Sequence, residues 1–185
     1  MKTYSFSTEQ HGHLIPYIAA LHASCITVDH MIGPFLPPLT NEKLLPWWKQ
    51  RIAEANQGSR VIVLLLPQMA PGIKPAGSDL RGLAMLKLPE TETGSFRGHI
   101  DAVLVNQKYR RLGGATILVQ ALEYEATHRG RTLLLVNAET GSVGEAAFRK
   151  FGYTEIGKVP HFSRVWPSGK KGETFFFKDF LPSSS

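Results

Sequence analysis

Residues 98–128 read 98-GHIDAVLVNQKYRRLGGATILVQALEYEATH-128, an apolar run, a short basic loop with paired glycines, and a stretch of helical periodicity. The apolar, β-branched run from Arg97 to Asn106 predicts a strand buried in a sheet. Ile117, Leu118, Ala121, Leu122 and Glu125 recur at helical spacing, and Gly130 stands where a helix would stop. Between them, Arg110-Arg111-Leu112-Gly113-Gly114-Ala115-Thr116 sets small residues where the backbone must curl tightly and approach a ligand closely. Unbonded N–H groups at a helix start, backed by the helix dipole, favour phosphate, and Lys108, Arg110 and Arg111 add positive charge. The stretch predicts a strand–turn–helix that cradles a pyrophosphate.

The spacing excludes two common cradles. Neither Gly-x-x-x-x-Gly-Lys-Ser/Thr nor Gly-x-Gly-x-x-Gly occurs here. The pattern present, Arg-x-x-Gly-x-Ala over 110–115, resembles the Gln/Arg-x-x-Gly-x-Gly/Ala signature of the GCN5-related N-acetyltransferases (the GNAT superfamily), whose loop binds the pyrophosphate of acetyl-coenzyme A. Two other segments carry the resemblance further, toward the tabtoxin-resistance-like members. They are 141-GSVGEAAFRKFGY-153 with 156-IGKVP-160, and 32-IGPFLPPL-39 with the helix and Trp48 that follow.

The rest of the chain bounds the reading. At 185 residues, 43% hydrophobic and 19% charged, it suits one globular domain, 1–185. A formal charge of +6 without a run of five basic residues leaves nucleic acid as the weakest partner class and is compatible with a polyanionic cofactor. The lone Cys25 excludes an internal disulfide and sits in an apolar helical stretch, which predicts a buried spacer and a reducing, cytoplasmic setting. The N-terminal residues lack the apolar core of a signal peptide, and no apolar run reaches membrane-spanning length. His11 and His13 have no acidic or thiol residues grouped with them, so no metal site is expected.

Taken in order, the chain predicts a strand over 3–7 and a helix over 8–24 that Pro16 either kinks or starts. Leu14, Tyr17, Ile18, Leu21 and Cys25 lie on one side of it. A proline-rich apolar loop over 28–39 precedes a helix from N-cap Thr40 to about Gln57, with Leu44, Leu45, Trp48 and Ile52 inward. The Pro34-x-x-Pro37 spacing also fits an SH3-type ligand, but such bulk between helices favours packing. The runs 60–67 and 80–88 predict a hairpin with a long, mobile Pro/Gly-rich connection over 68–79. A strand over 132–138 and a helix opened by Ser142 in a capping box with Glu145 follow. Strands over 153–159 and 174–180 close the chain around a basic loop, 164–171, with Phe175, Phe176 and Phe177 as core and 181–185 as a frayed tail. The resemblance places these elements in an α/β (α+β) fold: a mixed, mostly antiparallel sheet of six or seven strands flanked by about four helices.

For activity, the resemblance implies transfer of acetyl from acetyl-CoA to the primary amine of a small molecule, such as a toxin or antibiotic-like compound, by direct attack on the thioester. Val103, Leu104 and Val105 would carry the pantetheine arm, and the N–H of Leu104 or Val105 would polarise the thioester carbonyl. Residues 110–116, with Gly141, Ser142 and Phe148, complete the expected cofactor contacts. His99 occupies the place where many members have a catalytic Glu, and Asp101 would orient it or hold the ammonium. Asp29, His30 and Phe35 are expected on the acceptor side. Two departures stand out: Phe148 replaces the Tyr that serves many members as acid toward the thiolate, and Gly141 replaces a coenzyme-contacting Asn. They keep open a coenzyme-A-binding protein with weak or lost catalysis, and a protein or peptide acetyltransferase is a further alternative. The chain is expected to act as a monomer or homodimer.

Overall fold

The computed structural model describes residues 1–181; the tail expected over 181–185 lies almost wholly outside them. Seven strands form one sheet: β1 (Lys2–Ser5), β2 (Arg60–Leu66), β3 (Gly82–Lys87), β4 (Arg97–Val105), β5 (Leu133–Glu139), β6 (Thr154–Val165) and β7 (Gly169–Asp179). Their order is β1-β2-β3-β4-β5-β7-β6, antiparallel throughout except for parallel β4–β5. Four helices of two turns or more flank it: α2 (Ile15–Thr27), α3 (Asn41–Asn56), α4 (Gly114–His128) and α5 (Val143–Lys150). A single turn, α1 (Thr8–His11), and a 3-10 turn precede α2.

Every residue of β2 is buried because helices cover both faces of the sheet, so its sequence is continuously apolar rather than alternating. On one face α4 and α5 bury Leu118, Leu122, Leu134, Val136 and Phe176 against the strands. On the other the 3-10 turn, α2 and α3 bury Leu14, Ile18, Trp48 and Ile52. Pro16 is tolerated because α2 begins beside it, where the missing N–H has no helical acceptor. Tyr17, expected inward, is half exposed, and Phe175 and Phe177 are only half-buried, whereas Phe176 is fully enclosed. The basic loop expected over 164–171 is a three-residue turn, because β6 and β7 run on to Val165 and Gly169. The connection over 68–79 is tied to the first helical segments, with His13 Nε2 2.7 Å from the Pro75 carbonyl and Lys74 Nζ donating to the Glu9 carbonyl.

The feature that positions a site lies between β4 and β5. They pair from Arg97–Leu133 only to Ile100–Val136, although β4 continues to Val105 and β5 to Glu139. Asp101 is the extra residue of a bulge, since Leu86 faces Ile100 while Met85 faces Ala102. From the bulge onward the two strands part, and a gap opens inside the sheet.

Candidate functional site

Two features converge on this gap. The first is the turn leading into α4. Gly113, the N-cap, has φ +80, and Arg111 has φ +59, both left-handed. A Cβ built on Gly113 meets nothing within 4 Å, whereas one on Gly114 would lie 2.9 Å from Leu65 Cδ2. Gly113 therefore gives the turn its hand and an open face, and Gly114 lets the helix start settle onto β2. The N–H groups of Leu112, Gly113, Gly114, Ala115 and Thr116 have no acceptor among the described residues. Five donors at the positive end of a fifteen-residue helix form an anion cradle.

The second is the main chain of β4. The Leu88 N–H to Ser59 carbonyl bond sets the alternation of hydrogen bonding across β3. With that alternation, Leu104 and Ala102 face β3, while Val103 and Val105 turn their N–H and C=O toward the gap. The Val105 carbonyl accepts from Arg110 Nε at 3.0 Å. Arg110 also clasps Asp29 with both terminal nitrogens, one at 2.8 Å. Its guanidinium is thus committed to the end of α2, and its main chain leads into the turn. That bond, opposed by burial and helped by Gln107, holds the Asp29 carboxyl below the usual carboxylate range. Arg111 and Leu112 lie exposed on the outer side of the turn.

At the narrow end of the gap stand His99 and Asp101. His99 Nδ1 lies 2.8 Å from Asp101 Oδ1, and His99 Nε2 lies 3.0 Å from Asn137 Oδ1 on β5. Arg60 donates to the other Asp101 oxygen and to Glu54 at 2.7 Å, and Glu54 also takes Arg51 at 2.6 Å. Burial works against the Asp101 carboxylate, but the bond from His99 and the charge and bond of Arg60 outweigh it, so its carboxyl sits below the ordinary range. Asn137 Nδ2 donates in turn to Glu173 on β7, whose other oxygen accepts from Ser163. Arg60, Glu54, Asn137 and Glu173 lie outside the residues expected from sequence. The signal for Arg60 and Asn137 was a polar residue in an apolar strand: Arg60 heads RVIVLLL and Asn137 breaks LLLVNAE.

Ser142 Oγ accepts from Glu145 N–H at 3.1 Å, as the capping box predicts, but the Glu145 carboxylate reaches the Gly141 N–H at 2.6 Å. Bonds from Arg149 and Thr174 and from Gly141 hold the Glu145 carboxyl down to about 2. Phe148 packs into the core against Phe151, Tyr153 and Phe176. Tyr153 is buried with its hydroxyl pushed up by burial and then by Glu123, and Tyr124 is exposed on α4, so neither hydroxyl reaches the gap. His30, in the left-handed region at φ 53, brings its ring 6.0 Å from Trp166 at the tip of the β6–β7 hairpin. Phe35 stands edge-on to Trp47. Cys25 is buried, and burial followed by the Asp29 carboxylate pushes its thiol up to about 11, which rules out a ready thiolate. It borders a cavity of about 320 Å³ between α2 and residues 106–110. Among the described residues no group of three or more His, Cys, Asp or Glu could hold a metal ion, and no helix is long and apolar enough to cross a membrane.

Comparison with known proteins shows the family and the fold. The model of the acetyltransferase (GNAT) family matches residues 47–153, more than half of the chain. A ribosomal-protein-alanine N-acetyltransferase from Brucella melitensis superposes with a TM-score of 0.74 at 16% identity, over 97% of this chain and 99% of that one. A GCN5-related N-acetyltransferase from Kribbella flavida gives 0.70 at 15% identity over 96% of both chains. The yncA protein of Salmonella typhimurium, solved with its cofactor acetyl-CoA, gives 0.70 at 14% identity, over 100% of this chain and 96% of that one.

Proposed function

Since the chain belongs to the acetyltransferase (GNAT) family and is an N-acetyltransferase using acetyl-CoA, we propose that its acceptor is the primary amine of a small molecule, bound beside His99. The observation that carries this reading is the gap between β4 and β5, with five unbonded N–H groups at its wide end and a His–Asp pair at its narrow end.

The residues fit the cofactor. The donors of 112–116 would hold its diphosphate, with no side chain above Gly113 to block it. Val103 and Val105 would pair with the pantetheine arm through their main chains, and the Val105 N–H would polarise the thioester carbonyl. When bound, acetyl-CoA supplies an acetyl group activated as a thioester. Holding two reactants in register is worth roughly 7–11 kcal/mol, the largest contribution this chain can make.

The amine brings the second requirement. An alkyl amine with a pKa near 10 is about one part in a thousand neutral at pH 7, so a group that holds its proton raises the reactive fraction. His99, fixed by Asp101 and Arg60, is that group in this reading. The His30–Trp166 contact joins the loop after α2 to the β6–β7 hairpin, and this bridge favours a small acceptor over a folded protein surface.

The reading is tested by thermal shift with acetyl-CoA, followed by thiol release over a panel of small amines and N-terminal peptides. A shift with thiol release on a small amine is expected. Release with peptides alone, or a shift without release from any small amine, would overturn the small-molecule acceptor.

A further inference from the structure

Hydrogen-bond polarity along the line Asp101–His99–Asn137–Glu173 is restrictive. Asp101 is an ionised acceptor, held so by Arg60, so His99 Nδ1 must donate to it. Asn137 offers either its carbonyl or its amide nitrogen to His99 Nε2, and the other end then faces Glu173. Only two arrangements leave every member satisfied. In the first, recorded in the structure, the Asn137 carbonyl faces His99 and its nitrogen donates to a Glu173 carboxylate, so both ring nitrogens donate and the imidazole carries two protons. In the second the amide is turned round, Glu173 is a carboxylic acid donating to the Asn137 carbonyl, and Nε2 of a singly protonated ring accepts from the amide nitrogen. The arrangements differ only in where one proton rests, and none is gained or lost between them.

We infer that Glu173, through Asn137, is a positioning residue that decides whether His99 can take up a proton. This rests on the proposed role of His99 as proton holder for the amine. Only the second arrangement has a ring with room for a proton, and Glu173 is then the group relieving His99 of the extra one. Glu173 is 2% exposed, on β7 with only β5 between it and β4, and among the described residues no cation forms an ion pair with it. In the first arrangement the nearest balancing charge along the line is the imidazolium itself. The charges then alternate through Arg51, Glu54, Arg60, Asp101, His99 and Glu173, and sum to zero. The other charged groups facing the line are Lys87, opposite His99 on β3, and Glu139, opposite Glu173 on β5 and bridged to Lys171 at 3.1 Å.

The test is nitrogen-15 NMR of the His99 ring across pH 4–9, in the free protein and in Glu173→Gln. The glutamine keeps the shape but can neither bear the proton nor supply the charge. The inference expects the midpoint of the His99 titration to fall by about one unit in Glu173→Gln. The acid limb of kcat/KM should move to lower pH with it. Asn137→Ala should also shift the midpoint, and adding Glu173→Gln to it should change little further, because the two act as one unit. An unchanged midpoint in Glu173→Gln, or full additivity of the two substitutions, would overturn the inference. The titration is read without any ligand, so a shifted midpoint in a protein that fails to bind acetyl-CoA would fault the functional reading and leave the proton coupling standing.

Discussion

Gly113 and Gly114 are neighbours with opposite reasons for lacking a side chain. At Gly113 the reason is backbone hand and an open face; at Gly114 it is the nearness of Leu65. Gly113→Ala should fold, losing about 1–2 kcal/mol for a left-handed alanine, yet weaken acetyl-CoA binding by roughly tenfold or more, because the new methyl occupies the face left for the ligand. Gly114→Ala should cost stability by pressing α4 away from β2. Thermal melts with calorimetric titration separate the two, and equal effects on affinity would contradict the division. At this scale the sequence was legible where one residue type carries the whole reason. The glycines of the turn, Ser142 as cap and the buried Cys25 all stand where their chemistry predicts. Arg110 shows the limit: a basic residue next to a phosphate turn suggests a phosphate contact, but its guanidinium is bonded to Asp29, far away in the chain.

Elements were readable when their period was strong. β2, β4, α4 and β5 fall within a residue or two of their expected bounds: β2, buried throughout, is continuously apolar, β4 and β5 each carry an apolar run, and α4 has a buried stripe. The β6–β7 hairpin was read short, since its outer half is polar and basic and its pairing is local to an edge. The gap between β4 and β5 was not readable at all, because a strand does not record in its sequence where its neighbour leaves it. The Asp29–Arg110 clasp holds the end of α2 against the start of the turn. Both side chains are partly exposed, so a double-mutant cycle of Asp29→Asn with Arg110→Gln should give a coupling of about 0.5–1 kcal/mol, reduced in high salt. Each single substitution should also weaken acetyl-CoA binding by loosening the turn. Coupling that persists unchanged in 1 M salt would show the pair to be better shielded than its exposure implies.

At the level of the whole molecule, α1 and α2 each bury one histidine as a neutral ring. Burial drives the His22 ring, packed against Trp47 and Trp48, down to about 4. His11 is lowered by burial and by His13, and its Nδ1 accepts from the Ser7 N–H, a bond that only the ring unprotonated at that nitrogen can make. An unfolded chain protonates these rings near the ordinary histidine value, whereas the folded chain does not. Folding stability should therefore fall as pH drops from about 6.5 toward 4, and be retained above that window. Urea unfolding at pH 7 and pH 4.5 measures the difference. Whatever its stability at pH 7, His22→Phe should show a shallower slope, and an identical slope would remove His22 as the source.

The outer strand β6 has a consequence for how copies of this chain meet. Its twelve residues form an uncovered sheet edge with Ile156, Val159 and Phe162 exposed, the composition that invites edge-to-edge aggregation. Pro160 has no N–H to offer a stranger, and His161, with φ 56, turns the chain where a template would have to stay straight. The ladder with β7 skips from Val159 to Ser163 for the same reason. The edge is thereby cut into two short, twisted pieces, and a greasy border stays unsuited to fibre growth.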